Sequence, residues 1–570
     1  MPDVRVADYI VEYIRERNVR TVFMLSGTGS IFLDEAIAKA DALTCVCARH
    51  EAAATLMGTG ASKLTGDIGV AVVTSGPGAA NAMAGLIDAW ADAVPVLVLA
   101  GQVESRHIDR SARSFGIQGY NVVDCVRPVT KYAVVVDDPV QIRAHLDRAF
   151  HEALTGRPGP VWLDVPLDVQ AAEIDPAALA GFEAPAPEPW SNGPAETAAV
   201  VLDELRGASR PIFVVGQGVR QARAQGELAA LVEHLGVPTV CTRLGYDLLP
   251  YRSEAVMGQG GIRGRPHVER VMREADLVVS LGASLSTGLV GEHRDAFSPQ
   301  ARVVMVDLDA DQFDRANVAV DVRLRMDLLG LLTEMNRQIE HDRTGLEWPQ
   351  WRNHCRELKE KSPSAATLAT EPINSYYFVN RLEAQAGRDA VFVVDTGSAY
   401  YVTGQTLEFN DDQREVTSAA FLNMGAAVPM AVGASFAAAG ARVITIVGDG
   451  AIELNIQELA TISDYERDIK VFVLNNGGYS SIRESQDALC TDRVLDEPAP
   501  LDFRAVAAAF RIPYHRLSAV DALDDDLAAL LGPPGPALIE VICDSRQKLM
   551  RPAAAHDIRT HDGVTIPTRC

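Results

Sequence analysis

The chain has 570 residues and little positive charge: 52 Lys and Arg stand against 76 Asp and Glu, a formal net charge of −24. Such a field repels phosphate backbones and argues against nucleic acid as a partner. A small anionic ligand stays compatible with it, because a metal ion or a helix N-terminus overrides the global field locally. Cysteine is sparse as well. The eight thiols, Cys45, Cys47, Cys125, Cys241, Cys355, Cys490, Cys543 and Cys570, are scattered, and Cys45-Val46-Cys47 is the one close pair. No Cys-x-x-Cys spacing occurs, which argues against a zinc site, and the usage fits a reducing cytoplasm. Long hydrophobic runs are missing too. The longest uncharged stretch, 416–441, holds Asn423 and Pro429 and runs straight into a strand pattern. It reads as a turn and a buried helix, not as a membrane span. The N-terminal MPDVRVADYIVEYIRER is charged throughout and has no signal-peptide core. The expected location is the cytoplasm, with no membrane partner.

What is present is an alternation of short β-rich apolar runs with helical patterns, the mark of α/β architecture with mostly parallel sheets. Strand patterns lie at 21–25, 43–48, 68–75, 94–100 and 159–165, then at 211–216, 238–242, 276–282 and 301–309, then at 390–397, 441–450, 469–476 and 536–543. Two composition breaks, 182–194 (FEAPAPEPWSNGP) and 357–372, read as surface linkers. They divide the chain into expected domains at 1–182, 194–340 and 373–550. A tail, 551–570, has no clear pattern and is expected to lie across another surface. The first and third segments share a plan of strand, small-residue turn and helix, seen in TSGPGAANAMAGL and GDGAIELNIQEL. In open α/β sheets such strand ends line the ligand crevice.

The stretch GDGAIELNIQELATISDYERDIKVFVLNN (448–476) carries the sharpest chemistry. One apolar strand ends in Gly448-Asp449-Gly450, and after the 24 residues 451–474 a second ends in Asn475-Asn476. A crossover sets the two strands side by side and parallel, so Asp449 and Asn476 emerge together at one sheet edge. With a backbone carbonyl near Gly478 they offer three hard oxygens, half of an octahedral Mg²⁺ site whose other half suits a diphosphate. Gly448 and Gly450 would let the backbone approach that phosphate. Gly-Asp-Gly alone is also an ordinary turn, and Asn-Asn alone says nothing; the spacing between two strands carries the signal.

This motif resembles the cofactor motif of thiamine diphosphate (ThDP) enzymes, and the resemblance covers nearly the whole chain. It looks like the acetolactate synthase and pyruvate oxidase branch, with pyrimidine-binding, central and diphosphate-binding domains in that order. RHEAAA (49–54), TSGPGAANAMAGLIDAWADAVPVLVLAGQ (74–102), GRPGPVWLDVPLDVQ (156–170) and NMGAAVPMAVGA (423–434) agree with it separately. The resemblance implies ThDP and Mg²⁺ as cofactors. It implies Glu51 as the carboxylate bonded to the aminopyrimidine N1′; taken alone, Glu51 is equally a helix-start acid favoured by the helix dipole. Thr74, Pro77 and Asn81 would lie against the pyrimidine ring, although they also suit an ordinary turn and helix start. Met424 would prop the cofactor into its bent shape, where a Met is otherwise core filler. Gly397, Ser398 and Ala399 would form the diphosphate-side turn, in place of the Gln-His that related synthases often carry after the Gly. Ala451 and Tyr479 would stand beside the diphosphate. Tyr479, Ser480 and Arg483 start a helix over the site, and Arg483 could meet an acceptor or a phosphate, face solvent or form an ion pair.

Substrate-side residues depart from the family pattern. In SGTGS (26–30), Thr28 stands beside Gly29 where a Gly is usual, and GIQGYN (116–121) keeps only Gln118 of an FQE-like stretch. Thr28, Gly29 and Gln118 are the candidates on this side; Gln118 is otherwise a loop amide. VRPVTKYAVVV (126–136) and NNGGYSSIRESQ (475–486) look like carboligases that add a two-carbon unit from pyruvate to a ketone acceptor of keto-sugar type. The expected activity is decarboxylation of a 2-oxo acid, pyruvate first, and transfer of the acyl-anion unit to a ketone, an aldehyde or a second 2-oxo acid. The alternatives are acetolactate synthase proper and a flavin-dependent oxidase or 2-oxo acid decarboxylase. No adjacent His pair occurs in the first segment, which counts against pyruvate decarboxylase. FAD is open: GQGGIRGRPHVE (258–269) and VDLDADQF (306–313) lie at flavin positions, but GASLS (282–286) lacks the expected Arg. The family geometry implies a homodimer at least, with a homotetramer expected.

Overall fold

The computed structural model describes residues 3–186, 190, 192–261, 263–291, 297–490, 492, 501–550, 560–561 and 564–565. The chain forms three α/β domains, each built on a six-stranded, wholly parallel sheet. The first sheet comprises β1 (Thr21–Leu25), β2 (Thr44–Cys47), β3 (Gly69–Val73), β4 (Val96–Gln102), β5 (Tyr132–Val135) and β6 (Val161–Pro166), ordered β2-β1-β3-β4-β6-β5. The second comprises β7 (Pro211–Val215), β8 (Thr239–Cys241), β9 (Val256–Gln259), β10 (Leu277–Leu281), β11 (Arg302–Asp307) and β12 (Val322–Arg325), ordered β9-β8-β7-β10-β11-β12. The third comprises β13 (Val391–Val394), β14 (Arg414–Thr417), β15 (Val443–Gly448), β16 (Ile469–Asn475), β17 (Tyr514–Leu517) and β18 (Ala537–Ile542), ordered β14-β13-β15-β16-β18-β17. Helices cover both faces, so central strands such as β3 and β4 are buried at every position and read as unbroken apolar runs.

The helices that carry chemistry start at strand ends. Helix α1 (Glu51–Thr65) follows β2, and α2 (Pro77–Ala91) follows β3. In the third domain α3 (Ser398–Thr406) follows β13, α4 (Ala427–Ala437) follows β14, α5 (Asp449–Ile452) and α6 (Glu458–Asp464) follow β15, and α7 (Ser480–Leu489) follows β16. The uncharged stretch 416–441 thus contains a strand end, a loop and the buried helix α4. The composition break at Glu357 does not begin a linker. It is the last turn of a helix, Pro349–Glu360, held by buried Trp351 and Cys355; its polar residues are the solvent face. Of the first break, residues 187–189 and 191 lie outside the described residues. So does the tail, apart from the antiparallel pair 560–561 and 564–565. Among the described residues no helix is long and apolar enough to cross a membrane.

The first and third domains meet where α1 crosses α4. A Cβ at Gly60 would lie 2.3 Å from the Met430 carbonyl oxygen, and one at Gly433 would lie 1.8 Å from that of Met57. The two backbones therefore touch, and Ala53, Ala54 and Met57 share one core with Met430, Ala431 and Ala434. Helix propensity alone favours Ala over Gly by about 1 kcal/mol. At Gly433 the overlap is with backbone that has nowhere to go, so sterics win. Gly433→Ala is expected to lose about 2 kcal/mol or more and to melt earlier, whereas Gly226→Ala, in the helix Gln225–Leu235 and with nothing within 4 Å, should not; equal melting curves would show that the crossing is loose.

Candidate functional site

Two clusters of polar residues form at strand ends. The first lies on the first sheet. His50 is extended and its ring accepts from the Ala52 N–H at 3.2 Å, so α1 begins at Glu51. Glu51 is 8% exposed, and Asn81 Nδ2 donates to its Oε2 at 3.0 Å. Asn81 lies on α2, which opens with Pro77 after Gly76 at φ +65°. Glu51 Oε1 and Thr74 crowd Gly78: a Cβ there would meet them at 3.2 and 2.8 Å. The SGTGS loop folds onto the same turn. Gly29 N–H donates to Thr74 Oγ1 at 3.0 Å, and Gln170 holds the Gly29 carbonyl at 2.7 Å. Thr28 stands exposed beside them. Gln118 has φ +64°, and its backbone presses on Gly76, where a Cβ would lie 2.6 Å from the Gln118 carbonyl. Its side chain is exposed. The structure thus gathers Thr28, Gly29, Glu51, Thr74, Pro77, Asn81 and Gln118 at one edge.

The second cluster surrounds Asp449. Strands β15 and β16 are adjacent and parallel, with Gly448 opposite Leu474. Asp449 is 4% exposed; its Oδ2 accepts from Gly477 N–H at 2.9 Å and Gly478 N–H at 2.8 Å, and its Oδ1 from Gly450 N–H at 3.0 Å. Burial nevertheless pushes its pKa upward. The end of β16 is therefore wrapped around the carboxylate. Asn476 Nδ2 donates to Ser398 Oγ and Ser480 Oγ, both at 3.2 Å, while its Oδ1 is buried without a partner. A buried acceptor without a donor is costly unless something else satisfies it. A carboxylate, an orphaned amide oxygen and the Gly478 carbonyl, which accepts one bond from Ser480 N–H at 2.9 Å and keeps a second lone pair, are hard oxygens that fit Mg²⁺.

Three details differ from the sequence reading. Gly450 is required by packing against the Tyr479 ring, which a Cβ would meet at 2.6 Å, while Gly448 is open. Arg483 turns back on its own loop and donates to the carbonyls of Asn476, at 2.9 Å, and Gly477. It braces the metal-side turn. The sequence reading also missed Asp395, at the end of the VFVVD run of β13. It is 1% exposed and accepts from the N–H groups of Thr396 (3.0 Å), Gly425 (3.0 Å) and Ala427 (2.9 Å). Burial pushes its pKa up to about 6. It ties the Gly397–Ala399 turn to the loop carrying half-buried Met424, whose neighbour Gly425 (φ +77°) lies against the Ala451 carbonyl, 2.9 Å from a Cβ placed there.

Buried charges fasten that loop to the first domain. Lys63 on α1 donates to Asp92 and to the Thr417 carbonyl, and Asp92 accepts from Ala419 N–H at 2.9 Å and Ala420 N–H at 2.8 Å. Glu458 on α6 accepts from Arg49 N–H at 3.0 Å, just before Glu51. The central domain grips α3. Arg243 donates to the Tyr400 carbonyl (2.9 Å), Thr403 Oγ1 (2.8 Å) and Glu415 (2.6 Å), and Arg265 donates to the carbonyls of Thr406 (3.0 Å) and Leu407 (2.7 Å).

Comparison with known proteins agrees in all three domains. Family models described as thiamine pyrophosphate enzyme match here: the N-terminal TPP binding domain over residues 4–120, the central domain over 198–335 and the C-terminal TPP binding domain over 395–541. The chain is similar to the acetolactate synthase large subunit of Lactococcus lactis, 29% identical over 96% of this chain and 94% of the relative. It is 28% identical to acetolactate synthase isozyme 1 large subunit of Escherichia coli over 96% of each. The large subunit of Corynebacterium glutamicum is 30% identical over 84% of this chain and 76% of that protein.

Proposed function

Because the chain belongs to the thiamine pyrophosphate enzymes, in their acetolactate synthase-like branch, we propose that it is a ThDP- and Mg²⁺-dependent carboligase. It removes CO₂ from a 2-oxo acid, pyruvate first, and joins the remaining unit to a carbonyl acceptor. The observation that carries this reading is the pair of clusters: a buried Glu51 held by Asn81, and a buried Asp449 beside the unpartnered oxygen of Asn476.

Each cluster has its own task. Asp449, Asn476 and the Gly478 carbonyl would hold Mg²⁺ and through it the diphosphate. Glu51 would exchange a proton with the aminopyrimidine N1′, and the Asn81 bond keeps its carboxyl turned to one side. Burial of Glu51 excludes water as a competing proton partner. Gln118 and Thr28, exposed at the edge of the first cluster, would face the substrates. When bound, ThDP supplies the electron sink that accepts the pair left as CO₂ departs.

Two acceptors fit about equally. The relatives' names suggest a second pyruvate, which gives acetolactate, and the stretches at 126–136 and 475–486 suggest a ketone of keto-sugar type. A flavin has less support. The Gly216–Gly218 turn after β7 packs on Gly282 after β10, where Cβ atoms at Gly216 and Gly218 would lie 2.2 and 2.7 Å from its backbone. Arg243 and Arg265 are committed to α3. Our reading contains no flavin step. The protein should purify without a flavin absorbance band; a stoichiometric band would overturn that part.

The working site is shared between two copies, the minimum being a homodimer and the expected form a homotetramer, with Glu51 of one chain facing Asp449 of another. Glu51→Gln is expected to bind ThDP and to lose activity by about three orders of magnitude or more. Co-expressed with Asp449→Ala, it should regain activity, because one of the two mixed sites is intact; mixed dimers as dead as their parents would place both clusters of each site in one chain. CO₂ release from pyruvate, with ThDP and Mg²⁺ and a panel of aldehydes and ketones, tests the reaction. Release that rises with one acceptor identifies it, acetolactate formation identifies pyruvate, and silence with every donor tried would end the carboligase reading.

A further inference from the structure

The metal-side amide is held in a way that the cofactor motif does not explain. Asn476 is 8% exposed, and its Nδ2 donates to two hydroxyls at 3.2 Å. These come from different places: Ser398 is the first residue of α3 after β13, and Ser480 the first residue of α7 after β16. An amide nitrogen has two hydrogens, and here both are used. The oxygen end is left as the end that meets no protein donor. Arg483 pins the backbone on the other side through the Asn476 carbonyl at 2.9 Å. Backbone and nitrogen are fixed, so the direction of Oδ1 is fixed with them. Ser398 also stands where the sequence departs from the Gln-His of related synthases.

We propose that Ser398 and Ser480 are a pair of positioning residues that aim Asn476 Oδ1 at the Mg²⁺ ion. The inference rests on the Mg²⁺ reading above. A serine hydroxyl whose oxygen accepts from Nδ2 still has its own proton to give. That proton would remain free for an oxygen of a bound diphosphate. Polarisation runs in the useful direction: an N–H donated to the hydroxyl oxygen makes its O–H a better donor. Removing one serine leaves a buried N–H unsatisfied and frees the side chain to rotate. Removing both lets the amide turn its nitrogen toward the cation, which repels it.

The test measures metal binding directly. Mn²⁺ replaces Mg²⁺, and its free fraction is read by electron paramagnetic resonance in the presence of saturating ThDP. Wild-type protein is compared with Ser398→Ala, Ser480→Ala and the double variant. The double variant is expected to bind Mn²⁺ about 10–100-fold more weakly, the range for outer partners of a metal ligand. Each single variant should fall between. Ser398→Thr keeps the hydroxyl and should restore most of the affinity. In turnover, the apparent KM for the metal should rise by a larger factor than kcat falls; a merely structural role would lower the melting temperature without that split. Wild-type affinity in a folded double variant overturns the inference and leaves the carboligase reading standing. If the double variant does not fold, wild-type affinity in both single variants does the same. Absence of Mn²⁺ binding in the wild type with ThDP overturns the metal reading and this inference with it.

Discussion

The backbone contact between α1 and α4 is the constraint on which the rest depends. Two glycines, Gly60 and Gly433, let the helices approach until carbonyl oxygens occupy the space of missing side chains. That closeness fixes the distance between the first and third domains through the helix pair. Everything polar at the junction is then cut to a fixed gap. Lys63 lies three residues beyond Gly60, on the same helix, and reaches the Thr417 carbonyl. Arg414 reaches back to the Leu64 carbonyl at 3.1 Å. Glu458 caps the N–H of Arg49. A longer side chain at either glycine would move all these partners at once.

The buried charges at this junction are expensive to desolvate and gain stability only when saturated. Asp92 meets that condition, with Lys63 and two loop N–H groups as donors. Asp88 is served less well: Lys63 Nζ is 3.9 Å away, and the nearby Ser418 and Asn423 side chains do not reach either carboxyl oxygen in good hydrogen-bond geometry. Burial accordingly pushes Asp88 up to about 6. Lys63 thus gives its strong contacts to Asp92 and the loop, and the loop leads directly to Met424. Glu415 shows the same balance. Burial pushes it up to about 7, against the pull of Arg243. Asp247 falls on the other side, because Arg220 and Arg414 together outweigh its burial and keep it ionised.

Legibility in the sequence followed a strand's place in its sheet. Every central strand could be read, because a strand covered on both faces is a continuous apolar run. Edge strands could not. Strands β5, β9, β12, β14 and β17 escaped the reading, and all five lie at sheet edges. Arg414-Glu415-Val416-Thr417 and Tyr514-His515-Arg516-Leu517 show why: half of each strand faces solvent, other domains or charged partners, and the apolar signal is lost. Among edges only β2 was found, through the alternation in TCVCA. The chemistry followed a similar rule. Asp449, Asn476 and Glu51 sit where a readable strand stops, so position implied exposure to a crevice. Asp395 occupies the same kind of place and was overlooked, because its partners are backbone N–H groups that lie about thirty residues away and leave no pattern. The Ser398–Asn476 and Lys63–Thr417 contacts join residues far apart in the chain, and only the fold brings them together.

The central domain shows how a domain can serve a site without entering it. Its strand ends carry the order of a nucleotide-binding sheet, β9-β8-β7-β10-β11-β12, and the switch lies between β7 and β10. There the chain packs against itself through Gly216, Gly218 and Gly282. Two arginines near these ends, Arg243 and Arg265, look outward. Arg243 stacks 4.2 Å over the Tyr400 ring while bonding the Tyr400 carbonyl, and Arg265 bonds the carbonyls at the other end of α3. Cations at a helix C-terminus satisfy carbonyls that the helix cannot, and they complement its dipole. Helix α3 is thus fixed along its length by the central domain, and its first residue, Ser398, is fixed with it. The order of a ligand-binding sheet survives, and two arginines beside it, Arg243 and Arg265, hold a helix that faces the third domain's site.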